Sequence, residues 1–317
     1  YRDLEHALVG IQRAFYNPPF SQNTLYDSAL FAVAAEQAKL ETVTLMGAWN
    51  LSATHASIHQ RGHWIAHNIY RWMPSVDVVH LAPGLFAFPY FLGLPAIAHF
   101  GQLMAPFGEG KNAPPSNEDI ASVAVQTLIQ PEKHIGKSYR PTGPELLSPH
   151  DVAEIFSKVL NRKVRYKAVP FKAFHKAAIA LGFPTEQVAH MRYYVEEVRN
   201  DVYSTSAPTD HVRLVTGRAP EPFDVTARRY IENPSLIRPG FEIGSKWSAF
   251  TMLFRMMLAR PFDLYKWEEE RGYPLLSNPT LAHQCPDWAN ASAKGEINLA
   301  REERARSRIV ALSDLAS

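Results

Sequence analysis

Residues 41–47 read ETVTLMG and residues 76–81 read VDVVHL, and these two stretches decide the fold. Both are dominated by β-branched and apolar residues, which is typical of strands that are buried on both faces of a sheet. Between them, Ile58–Met73 is predicted to be a helix that Pro74 ends. Two strands joined by a helix of about 15 residues form a βαβ crossover, so the sequence predicts a parallel sheet.

The same alternation extends in both directions along the chain. Upstream, Arg13–Asn17 is predicted to be a short strand that ends at Asn17-Pro18-Pro19, and Ser21–Lys39 to be the helix that follows it. Downstream, helices outnumber strands, and Lys137–Arg140 and Lys163–Val169 are the strands that we predict. We therefore expect an α/β protein whose second part is smaller, mostly helical and closes over one end of the sheet.

The composition excludes several classes of protein. Of the 317 residues, 46% are hydrophobic and 20% are charged, as in a packed globular protein. The formal net charge is +2 and there is no basic run, which argues against nucleic acid as a direct ligand. Cys285 is the only cysteine, so an internal disulfide framework and a Cys-based zinc site are excluded. We predict a reducing compartment, the cytoplasm.

Two apolar stretches need an explanation. Leu81–Ala98 carries no charge and is long enough to cross a bilayer, but its three prolines would remove helical hydrogen bonds that lipid cannot replace. We therefore predict an apolar loop and a short helix that line a buried pocket. Trp247–Leu258 is also apolar, with Arg255 inside it, and either covers its own domain, which we favour, or lies on a membrane or a partner. Arg301–Arg308 is a candidate for a short charged helix.

Three passages of the sequence form a recognisable series. They are Asp3–Gly10 with Arg13–Tyr16; Thr54–Ser57 with Arg61, Trp64, Met73-Pro74 and Leu81–Phe86; and Asp119–Ala121 with Gly136-Lys137, Pro141–Glu145 and Ser148. Each passage alone is weak, but in their order and spacing, from about Asp3 to about Glu232, they resemble the NmrA-like family of atypical short-chain dehydrogenases/reductases.

This resemblance implies a Rossmann-type fold that binds NADP or NAD, with NADPH slightly preferred. Family members carry a Gly-rich turn that cradles the pyrophosphate, and neither G-x-x-G-x-x-G nor G-x-G-x-x-G occurs in these 317 residues. We therefore expect a sheet truncated on its amino-terminal side, in a chain that is a piece of a longer protein. The expected parts are the rest of the NAD(P)-binding domain over 1–112, a helix-rich substrate part over 113–236 and a helical extension over 237–317.

The resemblance also raises a catalytic question. Short-chain reductases use Tyr and Lys four residues apart on one helix, with a Ser at the preceding strand end, and the Lys lowers the pKa of the Tyr. In this sequence those two positions fall near Gln60 and Trp64, and the strand end Met46–Ala48 has no Ser. The resemblance therefore puts the usual mechanism in doubt.

Histidines spaced by four form a row on the same helix, at His55, His59, His63 and His67. Such spacing places side chains on one face, where two histidines can chelate zinc, but no carboxylate pair or cysteine accompanies them. We predict no metal. Two other interpretations stay open: some of these histidines only cap or solvate the helix, or His59 or His63 replaces the missing Tyr as a general acid.

The remaining candidate residues follow the predicted strands, where open parallel sheets bind ligands. The resemblance implies that the cofactor passes three strand ends, and the same Pro-Gly positions have the plainer interpretation of a simple chain turn. The aromatic residues after the last of these strands line an apolar substrate pocket or belong to the core. The cofactor candidates are Asn17, Pro18, Pro19, Met46, Gly47, Pro83, Gly84, Leu85 and Phe86, and the pocket candidates are Phe88, Tyr90 and Phe91.

Two functions remain open at this point. The first is an atypical NAD(P)(H)-dependent oxidoreductase that acts on a small apolar organic substrate. The second is a non-catalytic NADP(H) redox sensor that binds a regulatory protein partner. The missing Tyr and Lys favour the sensor, whereas the aromatic residues after Leu85 favour a small-molecule substrate. The sequence does not determine the oligomeric state.

Overall fold

The computed structural model describes residues 1–233, 236, 243–274 and 276–300. The predicted Arg301–Arg308 helix and part of the predicted 237–317 extension therefore lie outside the described residues. Six strands form two parallel sheets. The strands are β1 (Arg13–Tyr16), β2 (Thr42–Met46), β3 (Asp77–Leu81), β4 (Gln102–Ala105), β5 (Ser138–Tyr139) and β6 (Arg165–Ala168).

Helices make up about half of the described residues outside the strands. They are α1 (Arg2–Leu8), α2 (Thr24–Gln37), α3 (Ile58–Arg71), α4 (Leu94–Phe100), α5 (Asn117–Ile129), α6 (Pro149–Val159), α7 (Phe171–Ala180), α8 (Thr185–Arg199), α9 (His211–Thr216), α10 (Phe223–Glu232), α11 (Lys246–Leu258), α12 (Leu264–Glu270) and α13 (Pro286–Ala293).

The main sheet has the order β1-β2-β3-β5, and all of its neighbours are parallel. Val43 pairs with Ala14 on one side and with Val78 on the other, which fixes β2 as a central strand. Leu45 and Val43 are fully buried, as the continuous apolar pattern of this strand requires. The predicted α/β class with a Rossmann-type parallel sheet is confirmed.

Each face of this sheet is covered by helices. The face that includes Val43 packs against α2 and α3, with Phe31 and Tyr70 in the core between them. On the opposite face, Val79 and Leu81 pack with residues of α5 and α9. The sheet is therefore the middle of three layers, as in other doubly wound folds.

A second sheet pairs β4 with β6, and a larger aromatic core lies beside it. The sequence predicted β6 but not β4, because four residues after a helix give too short a pattern. Phe91 is central to this core, with its ring 5.2 Å from that of Phe156 and 5.1 Å from that of Tyr230. Phe91 follows Leu81 within the charge-free stretch, which forms a loop, a short 3₁₀ helix (Phe88–Phe91) and α4, much as predicted. Among the described helices, none combines the length and apolar character that crossing a bilayer requires.

The described part of the tail returns to the carboxyl end of the main sheet. Trp288 Nε1 donates a hydrogen bond to the carbonyl of Trp49 at 2.9 Å, and Asn298 Nδ2 donates to the carbonyl of Leu51 at 3.1 Å. Ile297 packs in a small cluster with residues that follow β2 and β3. The tail is therefore part of the fold and not an appendage.

A buried carboxylate joins this tail to the body. Glu197 on α8 is fully buried and accepts hydrogen bonds from Asn50 Nδ2, from His55 Nε2 at 2.9 Å and from the backbone N–H of Ala282 at 3.0 Å. His55 Nδ1 accepts from the N–H of Ser57 at 2.9 Å, so Nε2 carries the proton and donates to the carboxylate. Three segments distant in sequence thus share one acceptor.

Two histidines are buried between α3 and the sheet. His67 Nδ1 and His80 Nδ1 lie 2.8 Å apart, so one ring must carry a proton on this nitrogen and the other must not. Burial lowers the pKa of His80 to about 4 and that of His67 well below its ordinary value. Both rings are therefore neutral at pH 7.

The loss of Glu197 should destabilise the protein, because its removal leaves the buried hydrogen-bond donors around it without an acceptor. We expect Glu197→Ala to lower the free energy of unfolding by about 3 kcal/mol or more, since three buried donors lose their acceptor, and to increase proteolysis of residues 276–300. Urea unfolding and limited proteolysis measure both effects. The matched control is Glu196→Ala, whose exposed carboxylate forms a long ion pair with Arg199 at 3.8 Å and accepts from Asn200 Nδ2 at 3.3 Å, and which should change stability by less than about 0.5 kcal/mol. Equal stability of the two variants would contradict this role.

The buried histidine pair predicts a pH dependence of stability. The folded pKa of His80 lies below that of an unfolded histidine, so the unfolded chain binds more protons between about pH 6.5 and pH 4, and stability falls as the pH falls through that window. His80→Asn keeps a donor near the Nδ1 position but cannot titrate. We expect the free energy of unfolding, measured with urea from pH 7 to pH 5, to change less steeply with pH in this variant, by up to about 1.4 kcal/mol per pH unit. His6→Gln, at an exposed position, is the control. An unchanged slope in His80→Asn would refute the assignment.

Candidate functional site

The carboxyl ends of β1 and β2 form an open ledge at one edge of the main sheet. Asn17 and Pro19 are exposed after β1, whereas Pro18 between them is buried. Met46 and Gly47 at the end of β2 are half-buried. The parallel register that pairs Tyr16 with Leu45 brings these two strand ends side by side. The structure thus places this part of the predicted cofactor set together.

A neighbouring side chain leaves room only for glycine at position 47. A Cβ atom at this position would lie 2.0 Å from Nε2 of His67, so a larger residue would displace that ring. Gly47 therefore keeps α3 close to the sheet edge. The same contact sets the position of α3 along the strand direction, because it places His67 beside the end of β2.

The turn after β3 lies in a more enclosed position. Pro83, Gly84 and Leu85 are buried, and Phe86 is half-buried. A Cβ at Gly84 would lie 3.2 Å from the ring of Tyr203. The carbonyl of Leu85 accepts a hydrogen bond from Asn112 Nδ2 at 2.6 Å. The third part of the predicted cofactor set is thus covered by protein, whereas the β1 and β2 ends are open.

Arg140, which follows β5, is a buried cation beside this turn. Its guanidinium lies 4.0 Å from the ring centre of Trp49 and donates to the carbonyls of Tyr203, at 2.7 Å, and Thr205. Burial lowers its pKa to about 9. Within the described residues Arg140 has no carboxylate partner and its Nε has no acceptor. Sequence reasoning missed this residue because nothing in its local pattern marks it.

The amino-terminal half of α3 lies next to the exposed ends of β1 and β2. His59 stacks on Phe20 with ring centres 4.4 Å apart and lies 5.2 Å from the ring of His190 on α8. His190 Nδ1 is 2.7 Å from the hydroxyl of Ser57, which precedes α3. His63 lies one turn after His59 and one turn before His67, on the same helix face, and its Nδ1 is buried without a partner in the described structure. Three of the four predicted histidines, His59, His63 and His67, therefore lie on one face of α3, whereas His55 precedes the helix and is bound to Glu197.

Burial sets the protonation of the two histidines predicted to be catalytic. Desolvation lowers the pKa of His59 to about 4, and desolvation together with His59 lowers the pKa of His63 to about 4. Both are neutral imidazoles at pH 7. A neutral imidazole can donate an N–H hydrogen bond to an acceptor atom, but it does not carry the extra proton of an imidazolium.

The side chains at the two positions of the usual Tyr–Lys pair are already engaged. Gln60 Nε2 donates to the hydroxyl of Tyr194 at 2.9 Å, and its Oε1 is buried without a partner in the described part of the chain. Burial raises the pKa of Tyr194, so its hydroxyl stays protonated. Trp64 packs beside Ile297 of the tail. The structure thus adds Tyr194 to the site, a residue that its sequence neighbourhood does not reveal.

The predicted pocket aromatics lie further from this edge. Phe91 is in the aromatic core, Phe88 packs against that core, and Tyr90 is buried and lines an apolar cleft. The cleft has a volume of about 770 Å³, including its part open to solvent. It lies between the 3₁₀ helix, α4, β4, α7 and α11, and its lining includes Leu103, Phe174, Met191, Met252 and Met256.

Among the described residues, no group of three or more His, Cys, Asp or Glu side chains is placed to hold a metal ion. Cys285 is buried in the core that includes Trp288.

Comparisons with known proteins agree with this architecture. Residues 91–222 match the model of the NmrA-like family. The NAD(P)H azoreductase of Xenophilus azovorans is 29% identical over 232 residues, which are 73% of this chain and 77% of that protein.

Solved structures show the same fold. The triphenylmethane reductase of Citrobacter sp., complexed with NADP(H), superposes with a TM-score of 0.63 at 18% identity, over 72% of this chain and 80% of that one. NmrA, a negative transcriptional regulator in complex with NAD, gives a TM-score of 0.54 at 16% identity, over 74% of this chain and 78% of that one. Together with the family match, these findings confirm that the chain resembles the NmrA-like family.

Proposed function

We propose that this chain is an atypical NAD(P)(H)-dependent oxidoreductase that acts on a small apolar organic substrate without a Tyr–Lys pair. The observation that carries the proposal is the unpartnered Nδ1 of His63, which α3 presents at the carboxyl edge of the parallel sheet. Ligands of open α/β sheets bind at that edge. The similar azoreductase uses NAD(P)H by its name, and the similar triphenylmethane reductase was solved with NADP(H), which supports the choice of cofactor.

The residues present fit the nicotinamide half of such a cofactor. Asn17, Pro19 and Gly47 offer an open ledge at the strand ends, and Gln60 Oε1 and His63 Nδ1 above it are buried polar atoms without partners in the described structure. Buried polar groups in proteins almost always have a partner, so these two atoms favour a polar ligand beside them. The sequence offers no Gly-rich turn for the pyrophosphate. A bound NAD(P)H supplies a hydride to the substrate.

In this proposal His63 orients and polarises the substrate. Because it is a neutral imidazole, it donates an N–H hydrogen bond to an oxygen or nitrogen of the substrate and does not act as an imidazolium acid. Gln60, held by Tyr194, helps to bind the carboxamide end of the cofactor or the substrate. His59, which stacks on Phe20 and meets the ring of His190 edge-on, shields His63 from water.

The predicted substrate class rests on the surroundings of the site. Phe86 is half-buried beside the Pro83-Gly84 turn and its ring centre lies 6.1 Å from that of Phe88. Both residues come shortly before Tyr90 in the sequence, and Tyr90 lines the apolar cleft. An uncharged aromatic molecule suits such a lining because it loses little hydration when it binds. We therefore expect uncharged aromatic acceptors such as quinones and neutral azo dyes, with cationic triarylmethane dyes as a charged comparison.

The second candidate, a redox sensor that binds a protein partner, is favoured by one specific observation. The residues near the Tyr and Lys positions are Gln60 and Trp64, and neither is able to act as base or as the supporting cation. Trp64 packs on the tail instead. The likeness to NmrA, which was solved with NAD, adds support for cofactor binding without turnover.

Calorimetric titration with NADPH and, separately, NADH tests the site. We expect dissociation constants in the micromolar range, and we expect Asn17→Trp to weaken binding at least tenfold because the indole would fill the exposed ledge after β1. The same substitution at Glu41→Trp, an exposed position at the opposite end of the neighbouring strand, is the control and should leave binding unchanged. No binding by a cooperatively folded chain would refute the cofactor site within these residues.

Turnover separates the two candidate functions. NADPH oxidation with a panel of azo dyes, quinones and triarylmethane dyes should proceed, and His63→Ala should lower kcat by roughly 10- to 100-fold because one preorganised donor is lost. His63→Asn should restore part of the rate, and Ile65→Ala, on the exposed side of the same helix, should have no effect. Tight NADPH binding without turnover of any acceptor would favour the sensor.

A further inference from the structure

Helix α11 is apolar on two opposite sides. On its inner side, Met252, Leu253 and Met256 line the cleft, and Ala249 is fully buried. On its outer side, a second set of large apolar residues remains exposed to solvent. This outer stripe consists of Trp247, Phe250, Phe254, Met257 and Leu258, which are between 49% and 72% exposed.

The outer stripe has regular helical spacing. Its residues stand at i, i+3, i+7, i+10 and i+11, which places them within about 100° of the helix circumference. The rings of Trp247 and Phe250 stack with centres 5.8 Å apart. A contiguous exposed stripe of two aromatic rings, a third Phe and two aliphatic side chains is unusual on a soluble surface and marks a docking site.

The charged residues on α11 and on the helix α7 beside it have one sign. Lys246, Arg255 and Arg260 accompany α11, and from Ile243 to Phe262 the sequence has no acidic residue. Helix α7, which packs against α11, carries Lys172 and Lys176 and also lacks an acidic residue. Lys176 Nζ donates to the carbonyl of Met257 at 3.1 Å, so this cation lies at the end of the stripe. The nearest acidic residue that follows, Asp263, caps α12.

We propose that α11 docks this protein on the surface of an anionic lipid bilayer. The outer stripe would enter the interface between headgroups and acyl chains, and the cations of α11 and α7 would face the lipid phosphates. An apolar face flanked by Lys and Arg, with Trp and Phe among the apolar residues, is the composition of helices that lie in a membrane surface. Anionic headgroups attract such cations, with an effect that weakens with salt.

Charge favours a bilayer over a second copy of this chain. Two α11 helices packed stripe to stripe would bring their lysines and arginines together without any carboxylate on either helix to offset the repulsion. A bilayer that contains anionic lipid supplies the missing negative charge. The inner side of α11 stays packed on its own domain, so docking needs no unfolding of the helix.

Vesicle co-sedimentation tests this proposal with the full chain. We expect binding to vesicles of phosphatidylcholine with 30% phosphatidylserine, at least tenfold weaker binding to pure phosphatidylcholine, and weaker binding at 0.5 M NaCl. The triple variant Trp247→Ser, Phe250→Ser, Phe254→Ser should lose at least tenfold in partition. Arg255→Glu alone should reduce binding to the anionic vesicles.

The matched control is Tyr26→Ser, Val125→Ser, Leu214→Ser, which removes three exposed apolar side chains elsewhere on the surface and should bind as the parent does. Thermal unfolding checks that both triple variants fold. Two results would overturn the proposal: vesicle binding that the α11 variant retains, or the absence of vesicle binding together with a sedimentation-detected dimer that the α11 variant abolishes. The second result would assign the stripe to a second copy instead.

Discussion

The buried carboxylate of Glu197 is the interaction on which the rest of this structure depends. It joins the loop after β2, helix α8 and the tail at one acceptor group, through Asn50, His55 and the backbone of Ala282. A fully buried carboxylate is tolerated only when its donors are all in place, so these three segments must assume their positions together. The sheet edge that carries the candidate site is therefore held in place by the hydrogen bonds to Glu197 as well as by the strands.

This network also explains why the histidines near the site are uncharged. With α8 and the tail packed on α3, the histidines of this helix lie in a region of low polarity, where burial keeps His59, His63 and His67 neutral at pH 7. Neutral imidazoles can form directed hydrogen bonds without adding charge. The cation that does lie near the β3 turn is Arg140, held by backbone carbonyls and the face of Trp49 and not by an acid.

Much of the fold followed from local patterns, whereas the site depends on contacts between distant residues. The buried strand at 41–47 and the helix after it were predictable because β-branched runs and proline stops act locally. Helix α2 begins at Thr24 and not at Ser21, because the Thr24 hydroxyl donates to the carbonyls of Pro19 and Ser21 and so shapes a turn first. The histidine spacing predicted a common helix face, which holds for His59, His63 and His67 on α3, whereas His55 precedes the helix and donates to Glu197. No local pattern marks Glu197, Tyr194 or Arg140, whose roles arise from partners 60 or more residues away.

The central claim is that the edge formed by β1, β2 and α3 is the dinucleotide site. Hydrogen–deuterium exchange, with and without saturating NADPH, tests it most directly. Bound NADPH should slow exchange in three segments, 17–20, 46–50 and 58–64, and should leave exchange around the apolar cleft at 102–107 unchanged. Protection confined to the cleft, or to segments remote from the strand ends, would contradict it.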